Sequence, residues 1–358
     1  MLTKIDKYIL KNFLVTFFVC ILAFTFIAIV IDLTEKIQDF ITTKAPIGKI
    51  LGYYLNFVPY IIGLLFPIFI FVAVILFTSR LATRSEIIAM LSSGMNFNRF
   101  LRPYIFGASI ISVLLLFANN SILPNANKGR IAFEKVYVNY TRKENVSNVY
   151  KRISTNEYIS IGSFNGDNNT GYQFFYSFLD SLKLKTYIKA SRFEYDTAKN
   201  KWVLFEVVKR NNNGLKEKLE NLPKLTMKIP ITRKELLTGD ESKQQMTTKE
   251  LNKFIKIETA RGSEGLSSYY IEKYRRTASP FSAFILSIIG ACIASRKVRG
   301  GNGIHLALGL VISAAYILFM QFSTTFAVKG DLHPFIAVWL PNLFFSIVAF
   351  LIYKKFSK

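Results

Sequence analysis

The chain is poor in the side chains that catalytic and metal sites most often use. It has two cysteines and two histidines in 358 residues, and both cysteines, Cys20 and Cys292, fall inside apolar runs. His305 and His333 are far apart and have no cysteine or carboxylate cluster beside them, which argues against a zinc site. The patterns G-x-x-x-x-G-K-[ST], G-x-S-x-G and H-E-x-x-H are missing. The sequence therefore indicates neither an ATP-binding loop, nor a hydrolase, nor a cofactor.

Charged residues are also missing from six long stretches of the chain. The charged residues that bound these stretches stand at positions 11 and 32, 49 and 80, 102 and 128, 276 and 296, 299 and 329, and 331 and 354. A helix that crosses a hydrocarbon core of about 30 Å takes about 20 apolar residues, and each stretch is long enough. We predict six transmembrane helices, three before and three after a polar block that has no cysteine.

Lysine and arginine are concentrated in four of the segments outside these stretches. They are the N-terminus, the loop with Arg80, Arg84, Arg99 and Arg102, the loop after the fourth span, and the C-terminus. Cytoplasmic loops carry the excess of these residues, so both termini are predicted to be cytoplasmic and the polar block to lie outside. The formal net charge is +23. A basic exported block fits an acidic partner such as a phosphorylated lipid, or simply a lysine-rich composition, and nucleic acid is not expected there.

The polar block is predicted to be mostly antiparallel β-structure. Aromatic and β-branched residues are concentrated at 158–161, 171–178, 182–195, 202–209 and 225–231, and Leu225, Met227, Ile229 and Ile231 alternate with polar residues. Such alternation places one face on a core and the other toward solvent or a ligand. The fold class is therefore an α+β membrane protein, with six transmembrane helices and an inserted, jelly-roll-like antiparallel β domain.

After Thr247 the apolar residues are spaced as in a helix. Leu251, Phe254 and Ile255 are three and four residues apart and would share one helix face. We therefore predict transmembrane helices 1–3 in residues 1–127 and the β domain in 128–246. An amphipathic helical connector follows in 247–273, and transmembrane helices 4–6 occupy 274–358.

The second cytoplasmic loop contains a short amphipathic helix, predicted over about 84–94. Ile87, Ile88, Met90 and Leu91 form its apolar stripe. Ser85 is expected to cap the helix, Glu86 to favour its dipole in the first turn, and Gly94 to end it. The stripe could dock on lipid, on the protein's own helices, or on another protein.

Over nearly its whole length the chain resembles the permease subunits of the lipopolysaccharide-export ABC transporter, the LptF/LptG family. The motif that carries most of the resemblance is Arg84-Ser85-Glu86-Ile87-Ile88-Ala89-Met90 with Ser93-Gly94, which is similar to the coupling helix of that family. The opening Ile5-Asp6-Lys7-Tyr8-Ile9, the hairpin around Phe193 to Leu204 and the run Tyr274 to Phe281 are similar as well. The opening and the run Leu81 to Gly94 place it closer to LptG.

The resemblance implies a transport subunit rather than an enzyme, in the inner membrane of a Gram-negative bacterium. A cytoplasmic LptB-like ATPase dimer would drive it, and a second, LptF-like six-span permease would pair with it. Lipopolysaccharide would be extracted from the inner membrane and passed through the β domains to LptC/LptA-like periplasmic proteins. Helices one and five would form a lateral gate with the partner permease.

Functional residues follow from the same resemblance. Arg84, Glu86, Ile87, Met90 and Gly94 would contact the ATPase, and Leu225, Met227 and Ile229 would line the lipid path unless they fill a closed core. Lys36, at the outer end of helix one, would bind lipid phosphate, or else pair with Asp32 or Glu35. Some relatives carry a further lysine where this chain has Ile29.

Two other interpretations remain open. One is a mechanotransmission permease acting on periplasmic machinery, although such proteins usually have four spans. The other is a membrane enzyme acting on lipid-linked substrates, for which only Asp32, Glu35 and Asp39 cluster at a membrane surface.

Overall fold

The chain divides into two compact units that interleave along the sequence. A computed structural model describes residues 3–138, 145–166, 168–180, 183–197, 201–213, 216–229, 231, 236, 242–263, 265–297 and 302–356. The membrane unit comprises Met1–Val138, Gln244–Thr248 and Ser267–Lys358, and the β unit comprises Asn139–Lys243 and Lys249–Leu266.

The membrane unit consists of long apolar helices and confirms the six predicted spans. Its helices are α1 (Lys4–Thr42), α2 (Ile47–Thr83), α3 (Glu86–Ser92), α4 (Phe97–Phe117), α5 (Leu123–Tyr137), α8 (Ser267–Ala278), α9 (Ser282–Ala294), α10 (Asn302–Lys329) and α11 (Pro334–Phe356). The short helix α6 (Ser242–Gln245) has its first two residues in the β unit and its last two in the membrane unit. A π-helical turn, Ala118–Ile122, joins α4 to α5 within the third span, and a 3₁₀ turn, Ser279–Phe281, joins α8 to α9 within the fourth.

Polar side chains from other helices donate to backbone carbonyls at the break in the fourth span. Pro280 has no N–H to donate to the carbonyl four residues earlier. Asn119 Nδ2 donates to the Arg276 carbonyl at 3.1 Å, Asn342 Nδ2 donates to the Ala278 carbonyl at 2.9 Å, and Ser112 Oγ donates to the Pro280 carbonyl at 2.8 Å. An unpaired backbone group in hydrocarbon costs several kcal/mol, so the bond from Asn119 matters most, because it replaces the donor that Pro280 lacks.

The six spans are buried to very different extents. In their most apolar windows, the second and fourth spans are both 67% buried and the third is 50% buried. The first, fifth and sixth spans are only 17%, 22% and 33% buried. The core of the unit is therefore α2 with α4 and α9, and α1 and α10 turn most of their apolar surface away from it.

The β unit is built on one six-stranded antiparallel sheet, which confirms the predicted class of the inserted domain. Its strands are β1 (Asn145–Ser154), β2 (Glu157–Asn165), β3 (Thr170–Asp180), β4 (Lys183–Asp196), β5 (Lys201–Asn213) and β6 (Lys216–Met227), paired in sequence order. Positions 182 and 230 of the predicted strands lie outside the described residues. The helix predicted after Thr247 is also found, as α7 (Thr248–Arg261), which lies in this unit apart from its first residue.

One row of residues across the sheet shifts the alternation of buried and exposed side chains. Asn148, Gln173 and Glu206, on β1, β3 and β5, have φ angles of 52°, 57° and 53°. These residues have left-handed backbone conformations and lie in one row across the sheet, which we call the left-handed row. Each pair of neighbouring strands keeps the same register before and after this row. The apolar positions that flank the row are three residues apart instead of two, so the same face stays apolar throughout. These pairs are Val146/Val149, Ile161/Phe164, Gly171/Phe174, Ala190/Phe193, Leu204/Val207 and Leu222/Leu225.

Candidate functional site

The short helix α3 follows α2 through a sharp change of backbone direction. Ser85 stands before it with φ 59°, and its side chain makes no capping hydrogen bond, so the expected serine cap is wrong. The left-handed backbone at Ser85 turns the chain out of α2 instead. Gly94, with φ 88°, follows the end of the helix in the conformation that favours glycine, as predicted.

The apolar side chains of α3 face in two directions, two toward the membrane unit and two toward its surface. Ile87 is 2% exposed and Met90 packs partly buried against the core of the membrane unit. Ile88 and Leu91, by contrast, are 56% and 37% exposed. Docking on the protein's own helices therefore accounts for Ile87 and Met90. It leaves Ile88 and Leu91, which the sequence placed in the same stripe but not among the residues expected to contact the ATPase, as an exposed apolar surface.

Glu86 lies at the start of α3 and contacts the first helix. The Tyr8 hydroxyl donates to Glu86 Oε2 at 3.2 Å, and Arg84 Nη1 lies 3.9 Å from Glu86 Oε1. The side chains of Arg84 and Glu86 are 64% and 31% exposed. The sequence did not point to Tyr8, whose 78-residue separation from Glu86 is spanned only in the fold.

Lys36 lies in a charged cluster near the other end of α1. Its Nζ is 2.7 Å from Asp32 Oδ1, 2.9 Å from Glu134 Oε1 and 2.5 Å from the Tyr53 hydroxyl. The Tyr53 hydroxyl in turn lies 3.0 Å from Asp32 Oδ2. The pairing with Asp32 is one of the two alternatives that the sequence allowed, and Glu35 is exposed.

Arg130 completes the cluster from α5. Its Nη1 donates to both carboxylate oxygens of Glu134, at 3.0 and 2.8 Å, and its guanidinium lies 4.1 Å from the centroid of the Tyr60 ring. The side chains of Lys36, Asp32, Glu134 and Arg130 are 16%, 11%, 15% and 13% exposed. Two cations and two carboxylates, one of each on α1 and on α5, thus balance each other beside the tyrosines of α2, largely out of water.

The apolar residues of β6 belong to the core of the β unit. Leu225 and Met227 are partly buried and pair across the strands with Leu204 and Trp202, while Ile229 is 6% exposed. The Trp202 indole N–H donates to the Ile231 carbonyl at 2.9 Å, which fixes the chain after β6 over the same face. All three side chains belong to the core of the β unit, which both a lipid path and a closed core would produce.

The structure brings the predicted coupling residues together and keeps them apart from Lys36. Tyr8 and Lys36 are separated by about 42 Å along α1, from the rise of a helix. Among the described residues, no group of three histidine, cysteine or carboxylate side chains could hold a metal ion. Arg130, Glu134 and Tyr53 were missed by sequence reasoning, because residues far apart in sequence supply them.

Six apolar spans with an inserted antiparallel sheet, and a short surface helix between the second and third spans, define a polytopic membrane protein with an inserted β unit. A profile of the family described as lipopolysaccharide export system permease LptF/LptG matches residues 7–355, and the chain therefore belongs to this family. No curated protein matches the chain. The protein is thus a membrane-embedded permease for lipopolysaccharide export, and its family is one of transport proteins rather than enzymes.

Proposed function

We propose that this chain is one of two paired permeases of an ABC transporter, closer to LptG, and that a cytoplasmic LptB-like ATPase dimer binds it at α3. The observation that supports this best is the surface of α3. Arg84 and Glu86 offer opposite charges beside the exposed apolar side chains of Ile88 and Leu91. A small apolar patch with a polar rim is typical of a docking surface, and Ile87 and Met90 would hold the helix in place beneath it.

The low burial of α1 and α10 supports pairing with a second, LptF-like permease. Val19, Leu22 and Phe26 on α1 are 60%, 73% and 65% exposed, and Phe322 and Phe326 on α10 are 63% and 67% exposed. These faces would enclose the acyl chains of lipopolysaccharide between the two permeases and would part as a lateral gate. Burial of each CH₂ group contributes about 0.8 kcal/mol, so binding is easy, and release is the step that needs ATP.

The β unit would carry the lipid onward, in the periplasm, from an inner membrane in which both termini are cytoplasmic. Its apolar face, with Leu225, Met227 and Ile229, suits acyl chains. In the described sheet β1 and β6 are edge strands. A free edge can pair with a strand of another protein, which is how LptC/LptA-like β proteins would extend the path.

Lys36 would serve this path as a cation at the outer rim of the cavity. In the cluster described above its charge is balanced by Asp32 and Glu134. A lipid phosphate that binds Lys36 would therefore have to replace one of these carboxylates in contact with its ammonium group.

The experiment that tests the docking proposal is co-purification of the ATPase with a Glu86→Ala variant. We expect the yield of ATPase to fall at least about tenfold, which corresponds to the loss of one charge-assisted contact of about 1.5–3 kcal/mol. Glu35→Ala, which removes an exposed acid from the other end of α1, is the matched control and should leave the yield unchanged. Equal yields from both variants would refute the role of Glu86.

A further inference from the structure

A long apolar groove runs along the membrane unit between α4, α9 and α11, away from the cluster at Lys36. Its volume is about 950 Å³, and its walls are almost entirely apolar. The residues that line it along α11 extend from Phe335 to Tyr353, about 27 Å by the rise of a helix. The groove therefore runs through most of the thickness of a bilayer core, which is about 30 Å.

The two ends of the groove differ in chemistry. At one end Phe281, Phe335 and Trp339 form an aromatic cluster, with ring centroids 5.0 Å apart for Phe281 and Trp339 and 6.1 Å apart for Phe335 and Trp339. At the other end the Tyr353 hydroxyl donates to Asn98 Oδ1.

Two exposed cations flank the end at Asn98 and Tyr353. Arg102 follows Asn98 by one turn of α4, and Lys354 follows Phe350 by one turn of α11, and both Asn98 and Phe350 line the groove. Among the described residues, neither Arg102 nor Lys354 has an ion pair within 4.0 Å. Cationic rims on pockets between transmembrane helices are typical sites for acidic lipid head groups.

We propose that this groove binds an anionic glycerophospholipid from the leaflet on the side of Arg102 and Lys354. The phosphate contacts these two cations at the membrane surface, and an acyl chain lies along Leu101, Ile105, Ser346 and Phe350. The site is separate from the lipopolysaccharide path, and its occupant is a lipid of the bilayer that holds α4 against α11.

The charge at one end favours a phospholipid over a transmembrane helix of another protein. A phospholipid places negative charge at the level of the two cations and hydrocarbon at the level of the groove in a single molecule. A helix that fills the groove would need its own acidic residue at the same depth. The positive-inside pattern puts Arg102 and Lys354 on the cytoplasmic side, so the lipid belongs to the cytoplasmic leaflet.

The test is native mass spectrometry of the full chain, purified in detergent and incubated with dioleoyl phosphatidylglycerol or with dioleoyl phosphatidylcholine. We expect one phosphatidylglycerol to remain bound at concentrations where phosphatidylcholine does not. The double variant Arg102→Gln/Lys354→Gln should weaken phosphatidylglycerol binding about tenfold or more, since each surface cation contributes to anionic lipid binding. Ser346→Trp, which fills the groove at an exposed position, should reduce binding as well.

Matched variants separate this site from a general effect of charge or bulk. Arg99→Gln/Lys355→Gln removes the same charge at the same membrane level, from helix faces turned away from the groove by roughly 130–170° at 3.6 residues per turn. Leu351→Trp adds an indole at a position of α11 that is 59% exposed and outside the groove. Equal losses with these controls, equal binding of the two lipids, or a co-purified protein helix in place of lipid would each overturn the proposal.

Discussion

Removal of the Lys36 charge should weaken the membrane unit before any lipid is bound. Lys36→Met keeps an unbranched side chain and takes away one of two cations in the cluster. Asp32 then has no cation in contact, and Glu134 keeps only Arg130. The two carboxylates would still share the Tyr53 hydroxyl, so their negative charges would lie close together without compensation.

The magnitude follows from the burial of the cluster. Breaking a fully buried ion pair by removing one partner costs about 3–5 kcal/mol. Here the four charged side chains are 11% to 16% exposed, so water screens part of the charge. We therefore expect a loss of about 2–3 kcal/mol in the free energy of unfolding. Because Lys36 and Glu134 are in contact, the double variant Lys36→Met/Glu134→Gln should lose less than the sum of the two single losses.

The assay is unfolding of the purified chain in detergent without lipopolysaccharide, for wild type, Lys36→Met and the control Glu35→Met. Glu35 is exposed, and its replacement should change stability by less than about 0.5 kcal/mol. If Lys36 acted only on lipid phosphate, Lys36→Met would unfold like wild type in the absence of lipid. That result would refute the structural role derived from the cluster.

Binding of lipid by Lys36 is a separate prediction: Lys36→Glu should weaken binding of phosphorylated lipopolysaccharide far more than of its dephosphorylated form, and equal losses would leave only the structural role. Asn119→Leu should lower stability by about 1–3 kcal/mol, because the Arg276 carbonyl loses its donor, and wild-type unfolding of this variant would contradict that assignment. Glu206→Gly should be neutral or stabilising by up to about 1 kcal/mol, because its φ of 53° favours glycine, whereas Thr226→Gly in an ordinary strand position should destabilise by about 1 kcal/mol. Photo-crosslinkers at Leu225 or Ile229 should label lipopolysaccharide only when ATP is supplied; labelling without ATP, or no labelling by an active transporter, would count against the lipid path.

The sequence predicted the six spans and the antiparallel sheet because both depend on local composition. A bilayer imposes a minimum length on each apolar run, and the absence of charge shows where those runs lie. The surface helix α3 could be predicted for the same reason, since its charged start, apolar stripe and terminal glycine lie within about a dozen neighbouring residues. The strand β1 was missed, because its exposed Tyr150 and its polar side chains give it little apolar alternation. The last strand was placed at 225–231, whereas β6 covers Lys216–Met227 and begins with mostly exposed polar residues.

The features that sequence reasoning missed depend on contacts between distant residues or on backbone conformation. Glu134 lies 98 residues from Lys36, and nothing near Lys36 in the sequence indicates that this pair forms. The left-handed row breaks the two-residue alternation in the middle of strands, so a search for strict alternation shortens or splits them. Ile87 was placed among the docking residues with its neighbours, and only the packing of α3 shows that it faces inward.

We propose that this chain moves lipopolysaccharide with energy supplied through α3. The most direct test is ATP-dependent release of lipopolysaccharide from proteoliposomes that contain the chain, its partner permease and the ATPase. We expect release that requires both ATP and this chain, and a strong loss of release with Glu86→Ala, whereas the Glu35→Ala variant should release lipopolysaccharide normally. Release that continues without ATP, or that is unchanged by Glu86→Ala, would contradict it.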